Sequence, residues 1–178
     1  MSDNELASRA RDGDDAAFQE LIERHYRTVQ RFAFQIGVKP MDVEDVTQEV
    51  FLKVYRSIHT FARGKFTTWL YSVTLNAARD MARKEKRQQR NLLKIQEESA
   101  HTSFAAFESN EEAWELHDMI TGLKEKYRIP IILHYFHDLS YAEIGAVLGC
   151  TEAAVKTRML RSKKKLKDSL EKVGVVHE

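Results

Sequence analysis

Cysteine, proline and glycine are scarce in this sequence, and its apolar runs are short. The single cysteine, Cys150, excludes an internal disulfide and a zinc site built from several thiolates. Two prolines and seven glycines in 178 residues leave few helix breakers, so intrinsic propensity favours helix almost everywhere. The strongest apolar run, IPIILHYF, is far shorter than the ~20 residues that cross a bilayer. The sequence therefore predicts an all-α protein that does not span a membrane.

Signatures of secretion, catalysis and metal binding are missing as well. The first residues, MSDNELASRARDGDD, lack the apolar segment of a secretory signal, so the expected location is the cytoplasm. The chain has no Gly-rich phosphate loop and no nucleophile elbow. His134 and His137 are three residues apart, but no further ligand follows at metal-site spacing. We expect no enzyme, metal, cofactor or small-molecule substrate, and we expect Cys150 to be a small buried residue.

The net charge of +1 hides a block pattern. Residues 1–60 carry a net charge of −3, residues 61–95 of +7, residues 96–130 of −5 and residues 131–178 of +2. Solvated helix faces explain most single runs of charge, but two basic segments separated by an acidic one also suit two surfaces for a polyanion.

Apolar periodicity predicts three helices in the first half of the chain. The first runs from Ala16 to about Gly37, and the second runs from Val43 to about Ile58 with Asp42 as its N-cap. The third is FTTWLYSVTLNAARDMARKEKRQQR, with four residues at core spacing: Leu70, Val73, Ala77 and Met81. Its outward residues become strongly basic toward the end.

The second half begins with weak patterning over residues 91–110, which we interpret as a linker. Pro130 lacks a backbone N–H, so we expect a new helix that begins at Ile129 or Pro130, the alternative being a helix that is kinked there. Ser140 and Glu143 form a capping-box pattern ahead of a helix that ends at Gly149. Thr151 can then cap a final helix whose inward stripe is Val155, Met159, Ser162, Leu166 and Leu170.

Two short helices joined by a turn that contains glycine form a helix-turn-helix, and here the second helix carries the lysines. Such a helix fits the major groove of B-DNA, with base edges at its leading end and phosphates beside its cations. A helical hairpin with a solvated basic face is the alternative that the pattern leaves open.

Four stretches in this order resemble the extracytoplasmic-function (ECF) group of sigma factors of bacterial RNA polymerase. They are DVEDVTQEVFLKVYRSI, FTTWLYSVTLNAARDMARK, LSYAEIGAVLG and AAVKTRMLRSKKKLK. The resemblance implies two small helical domains joined by a linker, the second containing the helix-turn-helix. We place sigma region 2 at residues 1–90, the linker at 91–111 and sigma region 4 at 112–178.

The resemblance implies that one face of the second predicted helix binds the clamp helices of the polymerase β′ subunit. Acidic and amide groups there can pair with basic groups of a partner helix, and apolar groups add contact. Without the resemblance, the acids are ordinary solvated charges. The implied residues are Asp45, Gln48, Glu49, Phe51 and Leu52.

The loop FARGK and the following helix are implied to hold the melted minus-ten strand of the promoter and an extruded base. Flat apolar groups can stack on bases while cations hold phosphates. Asn76 is the expected base reader. Asp80 is its support, since an aspartate beside so many cations can orient an arginine, and Trp69 is either core or strand-facing. The implied residues are Arg63, Lys65, Phe66, Trp69, Asn76, Arg79, Asp80, Arg83 and Lys84.

The helix-turn-helix is implied to bind the minus-thirty-five element in the major groove. The leading residues face base edges, and the cations that follow bind phosphates. The implied residues are Thr151, Glu152, Ala153, Ala154, Lys156, Thr157, Arg158 and Arg161.

The resemblance thus predicts a sigma factor that binds core RNA polymerase through its β′ and β subunits, directs it to specific promoters and promotes DNA opening. It also implies an inhibitory anti-sigma factor, in many family members a membrane protein, that is released in a stress response. The alternatives are a stand-alone homodimeric helix-turn-helix regulator and a protein-interaction adaptor whose basic faces bind acidic partners. This chain departs from the family pattern in having Lys124 where proline is usual and a proline at 130.

Overall fold

The computed structural model describes residues 1–91 and 111–174, in which every regular element is helical. Eight α-helices lie in the described ranges, and two single 3-10 turns occur at Pro40–Asp42 and Ile58–Thr60. The helices are α1 (Asp3–Arg11), α2 (Asp15–Gln35), α3 (Val43–Ser57), α4 (Phe66–Asn91), α5 (Glu111–Thr121), α6 (Glu125–Tyr135), α7 (Tyr141–Leu148) and α8 (Glu152–Gly174). The all-α prediction is confirmed.

The helices form two compact units, one containing α1 to α4 and the other α5 to α8. The predicted linker, residues 91–111, lies outside the described residues except for its two end positions. None of the described helices combines the length and the apolar character that a membrane crossing needs.

The first unit packs the apolar stripes of α1 to α4 against one another. Periodicity correctly predicts the bounds of α2, α3 and α4 to within two residues. The largest side chains with almost no exposed surface are Leu6, Leu21, Phe32, Val43, Val46, Val50 and Phe66. Val73 and Met81 are only half-buried, because the core side of α4 instead follows Leu70, Thr74, Leu75, Ala77 and Ala78.

Two features of this unit differ from the sequence expectations. Asp42 occupies the N-cap of α3, but its side chain makes no capping hydrogen bond, since residues 40–42 already coil into a 3-10 turn. The helix α1 was not predicted. Its Ser2 hydroxyl accepts from the Glu5 N–H (3.2 Å) and the Glu5 carboxylate accepts from the Ser2 N–H (2.7 Å), which makes a complete capping box.

In the second unit, the predicted start of a helix at Ile129 or Pro130 is wrong. Helix α6 begins at Glu125 and continues through Pro130. Its first turn is set by the Tyr127 and Arg128 N–H groups, which donate to the Lys124 carbonyl at 2.9 and 3.0 Å. Proline in the helix leaves only the carbonyl four residues earlier, in the first turn, without its usual partner. Residues 129–133 are all buried, and this packing offsets that loss.

The core of this unit lies between α6, α7 and α8, with Ile129, Ile132, Leu133, Ile144 and Met159 fully buried. The predicted inward stripe of α8 is confirmed for Val155, Met159 and Ser162. Leu170, however, is 49% exposed and belongs to the solvent side of the helix end.

Candidate protein and nucleic-acid interfaces

One side of α3 presents the polar residues that were predicted to bind the polymerase. Asp45, Gln48 and Glu49 are exposed, and Leu52 is 48% exposed, so an apolar side chain lies beside the acids. Phe51 does not share this surface: it is only 6% exposed and stacks on Tyr26 with ring centroids 5.8 Å apart. Phe51 is therefore a core residue that supports the face, a correction to its predicted direct contact.

Glu44 orders the start of this face, which the sequence reasoning missed. Its carboxylate accepts hydrogen bonds from the Tyr26 hydroxyl and from the Gln30 amide, the latter at 2.8 Å. The Gln48 amide donates to the same carboxylate at 3.4 Å. Burial and the hydrogen bond to Glu44 raise the pKa of Tyr26 to about 12. The four-residue spacing of Glu44 and Gln48 was the available signal.

At the start of α4, an aromatic cluster surrounds Phe66, which is fully buried. Its ring centroid lies 5.9 Å from those of both Phe61 and Trp69, and 5.7 Å from that of His25. The prediction that Phe66 offers a stacking surface to bases is therefore wrong, because the ring is part of the core. Trp69 is half-buried and also packs on Phe61 at 5.5 Å, so it is a core residue that keeps one exposed part.

The loop that precedes α4 carries two of the predicted cations. Arg63 and Lys65 are exposed on either side of Gly64, whose φ of +85° is a conformation that glycine adopts without strain. The loop thus carries two exposed positive charges just ahead of α4.

Asn76 and Asp80 share the exposed side of α4, as their four-residue spacing predicts. Asp80 was expected to support an arginine, and its carboxylate does lie 3.4 Å from Arg83. Its shorter contact, however, is the 2.8 Å bond to the Lys53 ammonium of α3. That hydrogen bond lowers the pKa of Asp80. The sequence pattern did not identify Lys53 as a partner of Asp80.

The remaining predicted cations of α4 differ in exposure. Arg83 and Lys84 are exposed, whereas Arg79 is half-buried. The face toward the end of α4 is therefore strongly basic.

The helix-turn-helix has cap residues at the predicted positions, but only the serine half of the predicted capping box is found, and the Ser140 hydroxyl also donates to the Glu143 carboxylate at 3.2 Å. The Ser140 hydroxyl accepts from the Glu143 N–H at 3.1 Å, and Gly149 ends α7 in the left-handed conformation at φ 69°. The Thr151 hydroxyl then accepts from the Ala154 N–H at 3.1 Å and caps α8. These bonds confirm the turn between α7 and α8.

Gly145 allows the backbone at Cys150 to pass close to α7, a role that the sequence pattern did not reveal. A Cβ at this position would stand 2.6 Å from the Cys150 carbonyl oxygen. The Cys150 N–H also donates to the Gly145 carbonyl at 3.0 Å. Cys150 itself is half-buried rather than enclosed, because it lies in this turn and not beneath it.

The leading end of α8 exposes most of the residues predicted to bind the minus-thirty-five element. Ala154 and Arg158 are half-buried, and the Thr157 hydroxyl donates to the Ala153 carbonyl at 3.2 Å. The exposed members of the set are Thr151, Glu152, Ala153, Lys156, Thr157 and Arg161.

The lysine run beyond this end is not only a solvated face. The Lys163 ammonium lies 5.8 Å from the ring centroid of Tyr135, and Lys165 lies 5.3 Å from that of Tyr127. A hydrogen bond with the Tyr135 hydroxyl raises the pKa of Lys163. Part of this positive charge therefore covers aromatic rings of the same unit.

His134, one of the two histidines singled out in the sequence, has a structural role in the second unit. The His134 ring nitrogen Nδ1 lies 2.8 Å from the Leu139 carbonyl, and the ring packs on Tyr135 and Tyr141. Within residues 1–91 and 111–174, no group of three or more His, Cys, Asp or Glu side chains could hold a metal ion.

Two family models match the chain and divide it as the two units do. Sigma-70 region 2 matches residues 21–88, and sigma-70 region 4 matches residues 113–166. The ECF RNA polymerase sigma-E factor of Escherichia coli K12 is 30% identical over 184 residues, covering 96% of this chain and 95% of that protein. The chain belongs to the ECF sigma factors.

Two further comparisons agree with this assignment. The ECF RNA polymerase sigma factor SigE of Mycolicibacterium smegmatis is 32% identical over 90% of this chain, which spans 65% of that relative's length. The solved structure of CnrH in complex with the cytosolic domain of CnrY has a TM-score of 0.75 at 26% identity, covering 96% of this chain and 98% of that one. This sigma factor is a transcription initiation factor: it binds core RNA polymerase, directs it to promoter DNA and promotes opening of the DNA.

Proposed function

We propose that this sigma factor divides its work among three surfaces on three helices. One observation supports this proposal. The motif residues that are exposed are acids and an amide on α3, and cations on α4 and on the leading end of α8. We retain the domain bounds of 1–90 and 112–178 with a linker at 91–111 as part of this proposal.

The exposed face of α3 binds the polymerase. Asp45, Gln48 and Glu49 pair with basic groups of the β′ clamp helices, and Leu52 supplies the apolar contact. Its 48% exposure leaves apolar surface available to such a partner.

The loop of residues 61–65 and the polar side of α4 hold the melted minus-ten strand. Arg63, Lys65, Arg83 and Lys84 neutralise phosphates, and the exposed part of Trp69 contacts a base. Asn76 reads a base edge through its paired donor and acceptor, with Asp80 next to it on the same side of the helix. DNA opening then needs no catalytic residue, because capture of an extruded base shifts the equilibrium toward the open state.

The leading end of α8 enters the major groove at the minus-thirty-five element. The small side chains of Ala153 and Ala154 allow close approach, and Lys156, Arg158 and Arg161 contact phosphates. Few of these residues can make bidentate base contacts, so specificity depends on both promoter elements at a fixed spacing.

An anti-sigma factor is the proposed regulatory partner. CnrH, which has the same fold at 26% identity, was solved with the cytosolic domain of CnrY. A comparable partner would cover the polymerase-binding face of this chain until a stress signal releases it. Apolar residues between the two modules could contribute to such an interface or pack onto their own domains. Of these, Phe104 and Phe107 lie outside the described residues, and Trp114 packs on His117 with ring centroids 5.9 Å apart. Since RNA polymerase is its partner, we propose that the protein acts in the cytoplasm.

Run-off transcription tests the proposal directly. Purified core polymerase should start RNA synthesis at a defined subset of a promoter library only when this protein is added. Specific binding of the protein alone to a palindromic duplex, without redirected initiation, would instead support the homodimeric regulator.

The polymerase interface has its own test. Glu49→Lys should lower the affinity for core polymerase about tenfold or more, because it reverses a charge at the proposed contact. The matched control is Glu23→Lys, the same change at an exposed position of α2. Equal affinities for wild type and Glu49→Lys would place the interface elsewhere.

A further inference from the structure

Helix α1 is connected to the loop in front of α4 by side-chain hydrogen bonds that span 50 to 62 residues of sequence. The Asn4 amide nitrogen donates to the Gly64 carbonyl at 2.8 Å, and the Asn4 amide oxygen accepts from the Phe66 N–H at 2.8 Å. The Arg11 guanidinium donates to the Phe61 carbonyl at 3.2 Å. Two residues of α1 therefore hold both ends of the loop.

The two bonds of Asn4 meet specific needs of this segment. Phe66 is the first residue of α4, and the N–H groups of a first helical turn have no partner within the helix. The Asn4 oxygen supplies one, so it caps α4 from another helix. The same side chain fixes the Gly64 carbonyl, which belongs to a residue with a φ of +85° that few other residues adopt.

Asn4 is itself well placed to act as a rigid support. Helix α1 begins at Asp3 behind the capping box of Ser2 and Glu5, and its Leu6 and Ala7 are buried in the core. The amide thus stands on a helix that is fixed at its start and along its inner face. When Asn4 makes these hydrogen bonds, its side chain loses rotamer entropy, and this loss is small for asparagine.

We propose that Asn4 is a positioning residue for promoter opening. It holds residues 61–65 in one conformation. Arg63 and Lys65, on either side of Gly64, are therefore already positioned to bind phosphates when the minus-ten strand separates. This inference rests on the proposed role of the loop in binding that strand. A preorganised loop loses less conformational freedom on binding DNA, and this raises its affinity for the melted strand.

Hydrogen exchange of the Phe66 amide tests the contact itself. In the full chain, Asn4→Ala should make this amide exchange about tenfold faster or more, because it loses its acceptor. Asn4→Asp keeps an acceptor and should leave the Phe66 amide protected while it releases the Gly64 carbonyl. An exchange rate unchanged by Asn4→Ala would overturn the proposal.

DNA opening by the reconstituted holoenzyme tests the function. The probe is a promoter recovered in the run-off screen, with 2-aminopurine in the minus-ten element. Asn4→Ala should slow opening of the duplex about tenfold, the expected loss for two neutral hydrogen bonds. It should leave the affinity for core polymerase unchanged. It should also weaken holoenzyme binding to the same promoter with a mismatched, already open minus-ten element by a similar factor, because the loop binds the melted strand there as well. Asn4→Asp should be intermediate on the duplex.

Two controls separate the possible failures. Arg9→Ala removes an exposed ion pair of α1 with Asp14 and should open the duplex like wild type.

Arg63→Ala combined with Lys65→Ala tests the loop: normal opening by this variant would refute the proposed function of the loop and the role of Asn4 with it. A defect in that variant together with normal opening by Asn4→Ala would refute the role of Asn4 alone. Equal losses of core affinity and opening in Asn4→Ala would show a merely structural role and would also overturn it.

Discussion

The ammonium of Lys53 on α3 lies 2.8 Å from a carboxylate oxygen of Asp80 on α4. This ion pair links the helix proposed to face the polymerase with the helix proposed to face melted DNA. The Asp80 side chain is 55% exposed, so solvent screens the attraction and its contribution to stability is modest.

The pair predicts a specific dependence of stability on pH. The hydrogen bond from Lys53 lowers the pKa of Asp80 in the folded state. The stabilisation is therefore complete above the unfolded value of ~3.9 and disappears as the pH falls through the lower folded value. Asp80→Asn should lower the free energy of unfolding by about 0.5 kcal/mol at pH 7. A double-mutant cycle with Lys53→Met, measured by denaturant unfolding, should give a coupling that vanishes in acid; a coupling independent of pH would contradict this.

The salt dependence of DNA binding tests the role of Lys156. A cation that contacts one phosphate releases about one counterion, so Lys156→Ala should reduce the slope of log K against log salt by ~0.9. The measurement is binding of the holoenzyme to promoter DNA in a salt titration. Lys172→Ala, which removes an exposed lysine near the other end of α8, is the matched control and should keep the wild-type slope. If Lys156→Ala kept the wild-type slope, as Lys172→Ala should, a phosphate contact at Lys156 would be excluded.

Gly145→Ala should destabilise the second unit. The new Cβ would stand 2.6 Å from the Cys150 carbonyl oxygen, so the turn between α7 and α8 must shift. We expect a loss of about 1–3 kcal/mol in denaturant unfolding, the usual range for overpacking. Ala146→Ser changes the adjacent exposed position and should cost only ~0.5 kcal/mol through helix propensity. Similar losses in both variants would argue against a close turn.

Lys124→Pro should stabilise the protein and restore the residue that is usual in the family. Lys124 is the N-cap of α6 with φ −59°, close to the value that the proline ring imposes. The substitution restricts the unfolded chain and should raise the free energy of unfolding by about 0.4–1 kcal/mol. Lys124→Ala, which removes the charge without adding the ring, controls for electrostatics. Destabilisation by proline but not by alanine would show that the ring does not fit.

The sequence predicts three of the four helices of the first unit well, because local signals agree there. Apolar residues repeat at helical spacing in α2, α3 and α4, and residues that break helices lie between them. Pro130 misleads because its usual position is the first turn of a helix, whereas here buried packing on both sides carries α6 through it. Propensity is a weak rule when tertiary contacts oppose it.

The candidate sites are harder to predict in detail, since burial and long-range partners are not local properties. Phe66 sits among cations in the sequence, and only the packing of Phe61, Trp69 and His25 around it shows that it is core. Asn4 gives no signal at all, because both groups that it binds lie about 60 residues away in the chain. The exposure of motif residues such as Glu49 follows from helical spacing and is predicted correctly, while their roles in binding stay predictions.

The second half of α4 has one more consequence. The helix has 26 residues and is therefore about 39 Å long, yet none of residues 79–90 is buried. Cations one turn apart repel each other there, which weakens the helix when the protein is alone. Added salt or a nucleic-acid strand reduces this repulsion and therefore stabilises the helical conformation of these residues. Ordering of this helix end and attraction to a polyanion are thus thermodynamically coupled, and each increases the other.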